Sequence, residues 1–293
     1  MNWITSGDTI IFDYDLFDQD VSNLPSSITH LTFGYYFNGD VSNLPSSITH
    51  LTFGHYFNGD VSNLPPSLTH LTFGYCFNKD VSSLPPFLTH LTFGFNFDQD
   101  VSNLPQTLTH LTFGTNFNND VSTLPPFLTH LTFGDEFNKD VISLPPTITH
   151  LTFGYGFDKD ISVLPPTLTH LILNSIFEQN YNIPMGVKYL QLRYDNQYII
   201  DSLPNSIVEL ELGEEFDLQM NNLPTSIKKL VINEYCCYEN DLNCLPEFIE
   251  ELQLNRNYRK RILNIPSSLK KIICHEDYAY KNDFVMCEIQ TYK

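Results

Sequence analysis

The sequence predicts a β-rich solenoid in which one short parallel strand per repeat of about 20 residues stacks on the strand of the next repeat. A 20-residue unit that begins at Leu31 returns six more times, almost unchanged, and its last copy begins at Leu151. Apolar residues recur at fixed places within it, and prolines interrupt it where a helix would have to continue. Because a unit of this length cannot bury its own apolar face, neighbouring copies must share one continuous core.

Each unit begins with a predicted strand. The segment Thr29-His30-Leu31-Thr32-Phe33 alternates polar and apolar residues, which is typical of a strand with one buried face. We therefore expect Leu31 and Phe33 to point into the core, and His30 and Thr32 to lie on the outer face. The other predicted core residues are Phe37, Leu44 and Ile48.

The rest of each unit is predicted to return without a helix. A Leu-Pro pair (Leu44-Pro45, then Leu64-Pro65 followed by Pro66) recurs there, and proline lacks a backbone donor and restricts the residue before it. We expect extended or polyproline-like return segments.

The repeats divide the chain by regularity. We expect a single solenoid over residues 1–293, with an N-terminal cap at 1–10 and regular repeats at 11–170. Degenerate repeats follow at 171–271, and a C-terminal cap lies at 272–293.

The repeat resembles a known family. The spacing L-P-x-x-[IL]-x-x-L-x-F is similar to the leucine-rich repeat, and the phrase Phe33-Gly34 followed by Phe37-Asn38 resembles the FNIP repeat family of amoebae and their large viruses. The resemblance implies an arc whose strands line a concave, protein-binding face, and a cytoplasmic protein, in the host cell if it is viral. Relatives with an F-box recruit targets to ubiquitin ligases. Residues 1–10 are too few for that domain, so the resemblance implies only substrate recognition for the host ubiquitin machinery.

Composition argues against several partners. The net charge is −19, so the protein should repel nucleic acid and anionic lipid. The N-terminal segment lacks the basic start and apolar run of a signal peptide, and no apolar stretch is long enough to span a membrane. We expect a monomeric cytoplasmic protein with reduced cysteines, and a zinc site at Cys236, Cys237, Cys244 and Cys274 is the alternative.

A column of histidines is the main candidate binding surface. Histidine recurs every 20 residues from His30 to His170, beside threonines that recur in the same way. The predicted contact residues are His50, His70, His90, His110, His130, Thr72, Thr92, Thr112, Tyr75 and Phe95. Two alternatives stay open: a scaffold motif that duplication copied, and metal binding by neighbouring imidazoles. Crowding of imidazoles should lower their pKa.

Two further columns have a structural interpretation. Asn38 and Asp40, with their copies from Asp20 to Asp160, are predicted to satisfy backbone donors in turns and to form a ladder between repeats. Calcium binding, as in glycine- and aspartate-rich β-rolls, is the alternative. Near the C-terminus, Tyr189, Glu209, Lys229, Glu251 and Lys271 continue the histidine column and predict a ladder of ion pairs.

The sequence contains no phosphate-binding loop, nucleophile elbow, zinc-protease motif or dinucleotide fingerprint. We therefore expect a non-enzymatic scaffold, without a cofactor, that binds a protein partner through the strand face and its loop rim. A purely structural repeat protein and a calcium-dependent β-roll are the alternatives.

Overall fold

The computed structural model describes residues 3–12, 21 and 23–293, which form parts of two compact units, Met1–Thr149 and His150–Lys293. Asp20 of the predicted aspartate column lies outside the described residues, as do positions 1–2 of the predicted N-terminal cap and positions 13–19 and 22 of the first repeats. Within the described residues, no helix has the length and apolar character to cross a membrane.

The first unit is built on short strands, one per repeat. It opens with an antiparallel pair, β1 (Trp3–Ser6) and β2 (Thr9–Phe12), and the next strands run parallel to β2. They are β3 (His30–Thr32), β4 (His50–Thr52), β5 (His70–Thr72), β6 (His90–Thr92), β7 (His110–Thr112) and β8 (His130–Thr132). Equivalent residues pair directly, as His70 does with His90 and Leu71 with Leu91. The predicted parallel solenoid is confirmed.

The core of this unit is a stack of identical apolar residues. Leu31, Phe33, Phe37 and Ile48 are at most 3% exposed, and Leu44 is 9% exposed. The rings of Phe33 and Phe37 stack within one repeat, with their centroids 3.8 Å apart. All five predicted core positions are therefore buried.

Three tight turns return the chain from one strand to the next. In the repeat that begins at Leu71, hydrogen bonds run from the Phe77 N–H to the Gly74 carbonyl, from Leu84 to Val81 and from Leu88 to Pro85. The last turn has Pro86 at its second position, where the fixed φ of proline suits a β-turn. The return path therefore combines extended residues with turns, and no helix forms between residues 31 and 149.

The second unit repeats this plan less regularly. Its strands are β9 (His150–Phe153), β10 (His170–Leu173), β11 (Tyr189–Leu192), β12 (Glu209–Leu212), β13 (Lys229–Ile232), β14 (Glu251–Gln253), β15 (Lys271–His275) and β16 (Glu288–Tyr292). Each strand pairs in parallel with the next. Two short helices interrupt the turns, α1 (Gln197–Asp201) and a 3-10 helix at Lys281–Asp283.

The phenylalanine column changes to tyrosine in this unit. Tyr238, Tyr258 and Tyr278 take the place of the second core phenylalanine and are at most 2% exposed. The hydroxyls of Tyr238 and Tyr278 donate to the carbonyls of Asp241 and Lys260. At Tyr238 and Tyr278, the bulkier polar ring is accommodated because its hydroxyl finds a backbone acceptor, whereas the buried Tyr258 hydroxyl has no hydrogen-bond partner among the described residues.

Candidate functional site

The histidines of the first unit form a continuous stack along β3–β8. From His30 to His130, successive rings lie 4.1–4.2 Å apart, centroid to centroid, and within 14° of parallel. The sequence places each ring at the first residue of its strand, and the register of the parallel strands superimposes them. All six rings are half-buried. We call the outer side of β3–β8 the strand face.

A second threonine column, which the sequence reasoning did not single out, holds the imidazoles in place. Thr49, Thr69, Thr89 and Thr109 each put Oγ1 2.9 Å from Nδ1 of the histidine that follows. The same Oγ1 atoms lie 3.1–3.3 Å from the carbonyl oxygen of the equivalent threonine one repeat earlier. The column itself is visible in the sequence, because a threonine precedes each histidine in the repeats, but its bond to the ring depends on side-chain geometry that the spacing does not give.

This arrangement couples the hydroxyl to the imidazole tautomer. A threonine hydroxyl has one proton, so it donates either to the carbonyl, and then Nδ1–H donates to Oγ1, or to an unprotonated Nδ1. For His50, His70, His90 and His110, the second ring nitrogen, Nε2, has no protein partner in the described part of the chain. The strand face thus presents a row of ring nitrogens that a ligand can reach.

Four imidazoles inside the stack favour the neutral form. Burial lowers the pKa of His50, His70, His90 and His110, and the charge of neighbouring histidines lowers it further. The effect is largest at His70, where the pKa falls to about 4. Burial is the largest single cause at each of these histidines, because stacking removes water from both ring faces, and the crowding expected from the sequence adds to it.

The N-terminal end of the stack has a carboxylate. The Thr29 hydroxyl donates to Asp8 Oδ2 at 2.5 Å, which lowers the pKa of Asp8. Because that proton is committed to the carboxylate, Nδ1 of His30, 2.7 Å from Thr29 Oγ1, must be the donor in this pair. His30 therefore has a fixed tautomer.

The predicted contact threonines lie beside the histidines. Thr72, Thr92 and Thr112 are half-buried at the ends of β5–β7, and their carbonyls accept the N–H groups of Phe53, Phe73 and Phe93. Among the described residues, the hydroxyls of these three threonines have no protein partner. They are free to bond a ligand.

An aromatic column borders the strand face. Tyr35, His55, Tyr75 and Phe95 stack with centroids 4.5–4.6 Å apart. Tyr75 is 41% exposed and Phe95 is 37% exposed. The two predicted contact residues of this column thus belong to one ordered surface. Because the ring faces are used for stacking, the column presents ring edges.

The asparagine and aspartate columns bind backbone groups of the turns. Oδ1 of Asn38 accepts the Asn58 N–H at 2.8 Å, and Oδ1 of Asn58 accepts the Asn78 N–H at 2.9 Å, so the predicted asparagine ladder is present. Asp40 instead accepts the N–H and hydroxyl of Ser42, both at 2.9 Å, within its own turn. These bonds lower the pKa of the Asp40 carboxyl.

In the second unit, the same column acquires charge. His150 and His170 stack at 4.0 Å, and Tyr189, Glu209, Lys229, Glu251 and Lys271 continue the column on β11–β15. Lys229 Nζ lies 2.7 Å from Glu209 Oε1, and this bond raises the pKa of Lys229. The Tyr189 hydroxyl donates to Glu211 at 2.8 Å.

No cluster of three or more metal-ligating side chains occurs in the described ranges. Of the four cysteines considered for zinc, Cys236 and Cys274 are buried, whereas Cys237 and Cys244 are exposed. The Cys236 thiol donates to the Phe216 carbonyl, and burial raises its pKa to about 11. That environment suits a structural thiol, not a thiolate ligand.

Comparison with known proteins identifies the repeat. A family model described as FNIP Repeat matches residues 17–56, 39–76, 58–96, 77–116, 117–156, 140–176, 174–215 and 241–277. No curated protein sequence matches the chain.

Solved structures of similar fold include the following two. One is CroV588, described as a novel circular leucine-rich-repeat protein, with 30% identity and a TM-score of 0.74. The match covers 95% of this chain and 48% of CroV588, so the chain spans about half the length of that protein. The other is the internalin InlF from Listeria monocytogenes, with 17% identity, a TM-score of 0.56, and coverage of 93% of this chain and 87% of the internalin. The second likeness is one of fold alone.

Proposed function

The chain belongs to the FNIP repeat family, and on that premise we propose that it is a non-enzymatic scaffold that binds a protein partner through the strand face of its first unit. The observation that carries the proposal is the row of half-buried, stacked imidazoles flanked by free threonine hydroxyls and an exposed aromatic column. The proposed contact residues are His50, His70, His90, His110, His130, Thr72, Thr92, Thr112, Tyr75 and Phe95.

The chemistry of this face suits a protein ligand. On a chain with a net charge of −19, residues 70–72, 90–92 and 110–112 contain no acidic or basic group other than histidine. Neutral imidazoles and hydroxyls can bond backbone carbonyls and amides, and tyrosine is enriched at interface hot spots. The stacked side chains are already ordered, so binding loses little side-chain entropy.

A scaffold explains the histidines better than catalysis does. If one imidazole were catalytic, the surroundings of that histidine should differ from those of the equivalent histidines in the other repeats. From His50 to His110, each ring has the same threonine partner and the same stacking neighbours. Such uniformity favours an extended contact surface.

The proposal is tested by affinity capture from amoebal lysate with the full chain as bait. Glutamate at His90, His110 and Thr112 should abolish capture, since these residues lie near the middle of the face, where binding energy concentrates. Ser83→Glu, an exposed change on the return side, is the matched control and should leave capture intact. Melting curves of both baits verify that the fold survives.

Two results would contradict the proposal. If Ser83→Glu abolishes capture and the strand-face variant does not, the contact surface lies elsewhere. If the unmodified chain captures no protein in a fixed ratio, the alternative of a purely structural repeat protein is supported. The family resemblance makes a target of the ubiquitin machinery one candidate partner, and ligase components in the captured fraction would support it.

A further inference from the structure

The return side of the first unit carries exposed phenylalanines where the fold favours a hydroxyl. In most repeats, the residue three places after the Leu-Pro leucine is serine or threonine. The Ser67 hydroxyl lies 2.6 Å from both the Ser46 and Ile48 carbonyls of the preceding repeat. Thr107 Oγ1 lies 2.9 Å from the Pro86 carbonyl and 2.6 Å from that of Leu88. This position therefore normally ties one turn to the next.

Two repeats give up this bond. Phe87 and Phe127 occupy the position, and both are 63% exposed. Each phenylalanine lacks the hydroxyl that bonds one turn to the next, and it leaves most of a large apolar ring exposed to water. When a residue lacks a hydrogen bond that its fold normally makes and its apolar side chain stays mostly exposed, a contact with another molecule is the best explanation.

The surrounding surface is apolar and uncharged. Pro86 precedes Phe87, Pro126 precedes Phe127, and both prolines are exposed. The segments 64–68, 84–88, 104–108, 124–128 and 144–148 contain no charged residue, on a chain with a net charge of −19. We call the column Ser67, Phe87, Thr107, Phe127 and Thr147, with the residue before each, the return stripe.

The return stripe alternates large and small side chains in a way that is self-complementary. Repeats stand farther apart away from the strand face, since the Phe77 and Phe97 ring centroids are 6.1 Å apart. Phe87 and Phe127, two repeats apart, are therefore separated by at least about twice that distance, with Thr107 between them. A two-fold axis halfway between the rungs of Thr107 and Phe127 places Phe127 of one copy opposite Thr107 of the other, and Phe87 opposite Thr147. Every ring then meets a small side chain.

We propose that the return stripe is a dimerisation surface that takes a second copy of this chain. Two molecules of the same strong negative charge can approach only where charge is absent, and the stripe meets that condition. In a two-fold symmetric contact, both copies use the same patch. The alternation of large and small side chains in the return stripe allows such a patch to pack against itself. The inference does not depend on the partner proposed for the strand face, and it departs from the monomer expected from the sequence.

The available area indicates a weak dimer. A buried aromatic side chain covers about 150–250 Å², so four rings that are 63% exposed would contribute roughly 400–600 Å². Stable interfaces bury about 1,200–2,000 Å² in total, and the flanking prolines and hydroxyls bring the stripe only towards the lower limit. Association is therefore expected at micromolar concentrations.

Sedimentation velocity of the full chain across the micromolar range tests the proposal. The unmodified protein should shift from monomer to dimer with concentration, and added salt should strengthen the dimer by screening the like net charges. Phe87→Ser with Phe127→Thr, which installs the residues of neighbouring repeats, should weaken the dimer by about tenfold or more. Its melting temperature should stay the same or rise, because hydrogen bonds between turns are restored.

Two further variants separate specific packing from general stickiness. Thr107→Phe adds apolar surface but fills the space that Phe127 of the second copy needs, so it should weaken the dimer. If association were nonspecific, the same change would strengthen it. Phe248→Ser is the matched control, since Phe248 holds the same position in the second unit and is 56% exposed. It should leave dimerisation unchanged.

The proposal is overturned if the unmodified protein stays monomeric at every concentration. It is equally overturned if the double variant dimerises like the unmodified protein, or if Thr107→Phe tightens the dimer. Loss of strand-face capture by the glutamate variants, with dimerisation retained, would leave this inference standing, so the two proposals fail separately.

Discussion

At the scale of single residues, the glycine after each strand sets how closely successive turns approach. A Cβ added to Gly94 would lie 2.0 Å from the Gly74 carbonyl oxygen, and one added to Gly114 would lie 1.9 Å from that of Gly94. Both contacts are with backbone, which cannot rotate away as a side chain can. The turns can therefore stack at this spacing only with glycine here.

Gly94→Ala should consequently be costly. We expect the free energy of unfolding to fall by about 3 kcal/mol, because two backbone segments must separate. Gly59→Lys is the matched control: a Cβ added to Gly59 would lie 3.0 Å from the Phe57 ring and 3.7 Å from the Gly39 carbonyl oxygen, an ordinary contact distance, and lysine stands at the same position at Lys79. Chemical denaturation of both variants measures the difference, and equal losses would show that the close approach does not matter.

The phenylalanines of the core are among the largest fully buried side chains of the protein. Phe77 is 0% exposed and stacks on Phe73 at a centroid distance of 3.7 Å. Phe77→Ala should lower the free energy of unfolding by about 3–5 kcal/mol, because it leaves a cavity in a close-packed column. Phe248→Ala, at an exposed position, should change it little. A near-neutral effect at Phe77 in denaturant titrations would contradict the core assignment.

At the scale of elements, the turn that contains the aspartate is a self-contained unit. Asp100 accepts the Ser102 N–H at 2.9 Å and the Ser102 hydroxyl at 2.8 Å. In one repeat the partner is missing, because Ile142 replaces the serine, and the described structure shows no such bond at Asp140. Asp140 therefore serves as an internal comparison for how much these turn bonds stabilise the protein.

Replacing the aspartate should cost stability only where the serine is present. Asp100→Ala should lower the free energy of unfolding through loss of the turn bonds, whereas Asp140→Ala should change it much less. Thermal melts of the two variants, each compared with the unmodified chain, measure both effects. Equal losses would mean that the turn bonds add nothing net.

The histidine stack makes the stability of the first unit depend on pH. Because the folded-state pKa values of His50, His70, His90 and His110 lie below the ordinary value of 6.5, the stabilisation from the neutral rings is complete above pH 6.5. It is lost as the pH falls towards about 4, the pKa of His70, since the unfolded chain then binds more protons. The melting temperature should fall between pH 7.5 and 5.

A triple variant isolates the contribution of the stack. With asparagine at His70, His90 and His110, the melting temperature should vary less over this range than in the unmodified chain. The carboxyls of Asp40, Asp60, Asp80, Asp100 and Asp120, with lowered pKa values, contribute only at lower pH, because their stabilisation is lost as they protonate. The same slope in both proteins would show that the rings titrate as independent, solvated groups.

The sequence was sufficient to predict the features that follow from the 20-residue repeat. It did not reveal features that depend on distances between individual side-chain atoms. The 20-residue spacing was sufficient to predict the buried Leu31 and Phe33 and the alignment of the histidines. It did not predict the bond from Thr49 to the His50 ring, because the reach of a side chain within a turn is not a feature of periodicity. Likewise, α1 lies where the repeat has decayed. The residue that caps its N-terminus, Asn196, accepts the Ile199 N–H, and this local helix signal is not visible from the repeat pattern.

At the scale of the whole molecule, each unit is a stack in which a repeat contacts its neighbours. From β3 to β8 the strand register is the same at every step, with Leu51 opposite Leu71 and Leu91 opposite Leu111. The stability of such a stack is approximately a sum of repeat and interface contributions. It follows that the number of repeats can change without changing the fold, provided that whole repeats are gained or lost.

Deletion of residues 91–110 should therefore yield a folded protein. The cut joins His90 to Leu111, which restores the His-Leu sequence found at the other junctions between residues 30 and 171, and each remaining ring, threonine and asparagine meets an equivalent partner. Deletion of residues 91–100 removes half a repeat and brings Val101 to the position of the strand leucine, so the core columns no longer align. We expect circular dichroism and thermal melts to show a cooperative transition near that of the unmodified chain for the first variant, and a marked loss of structure for the second. If both deletions behave alike, the columns are not what holds successive turns in register.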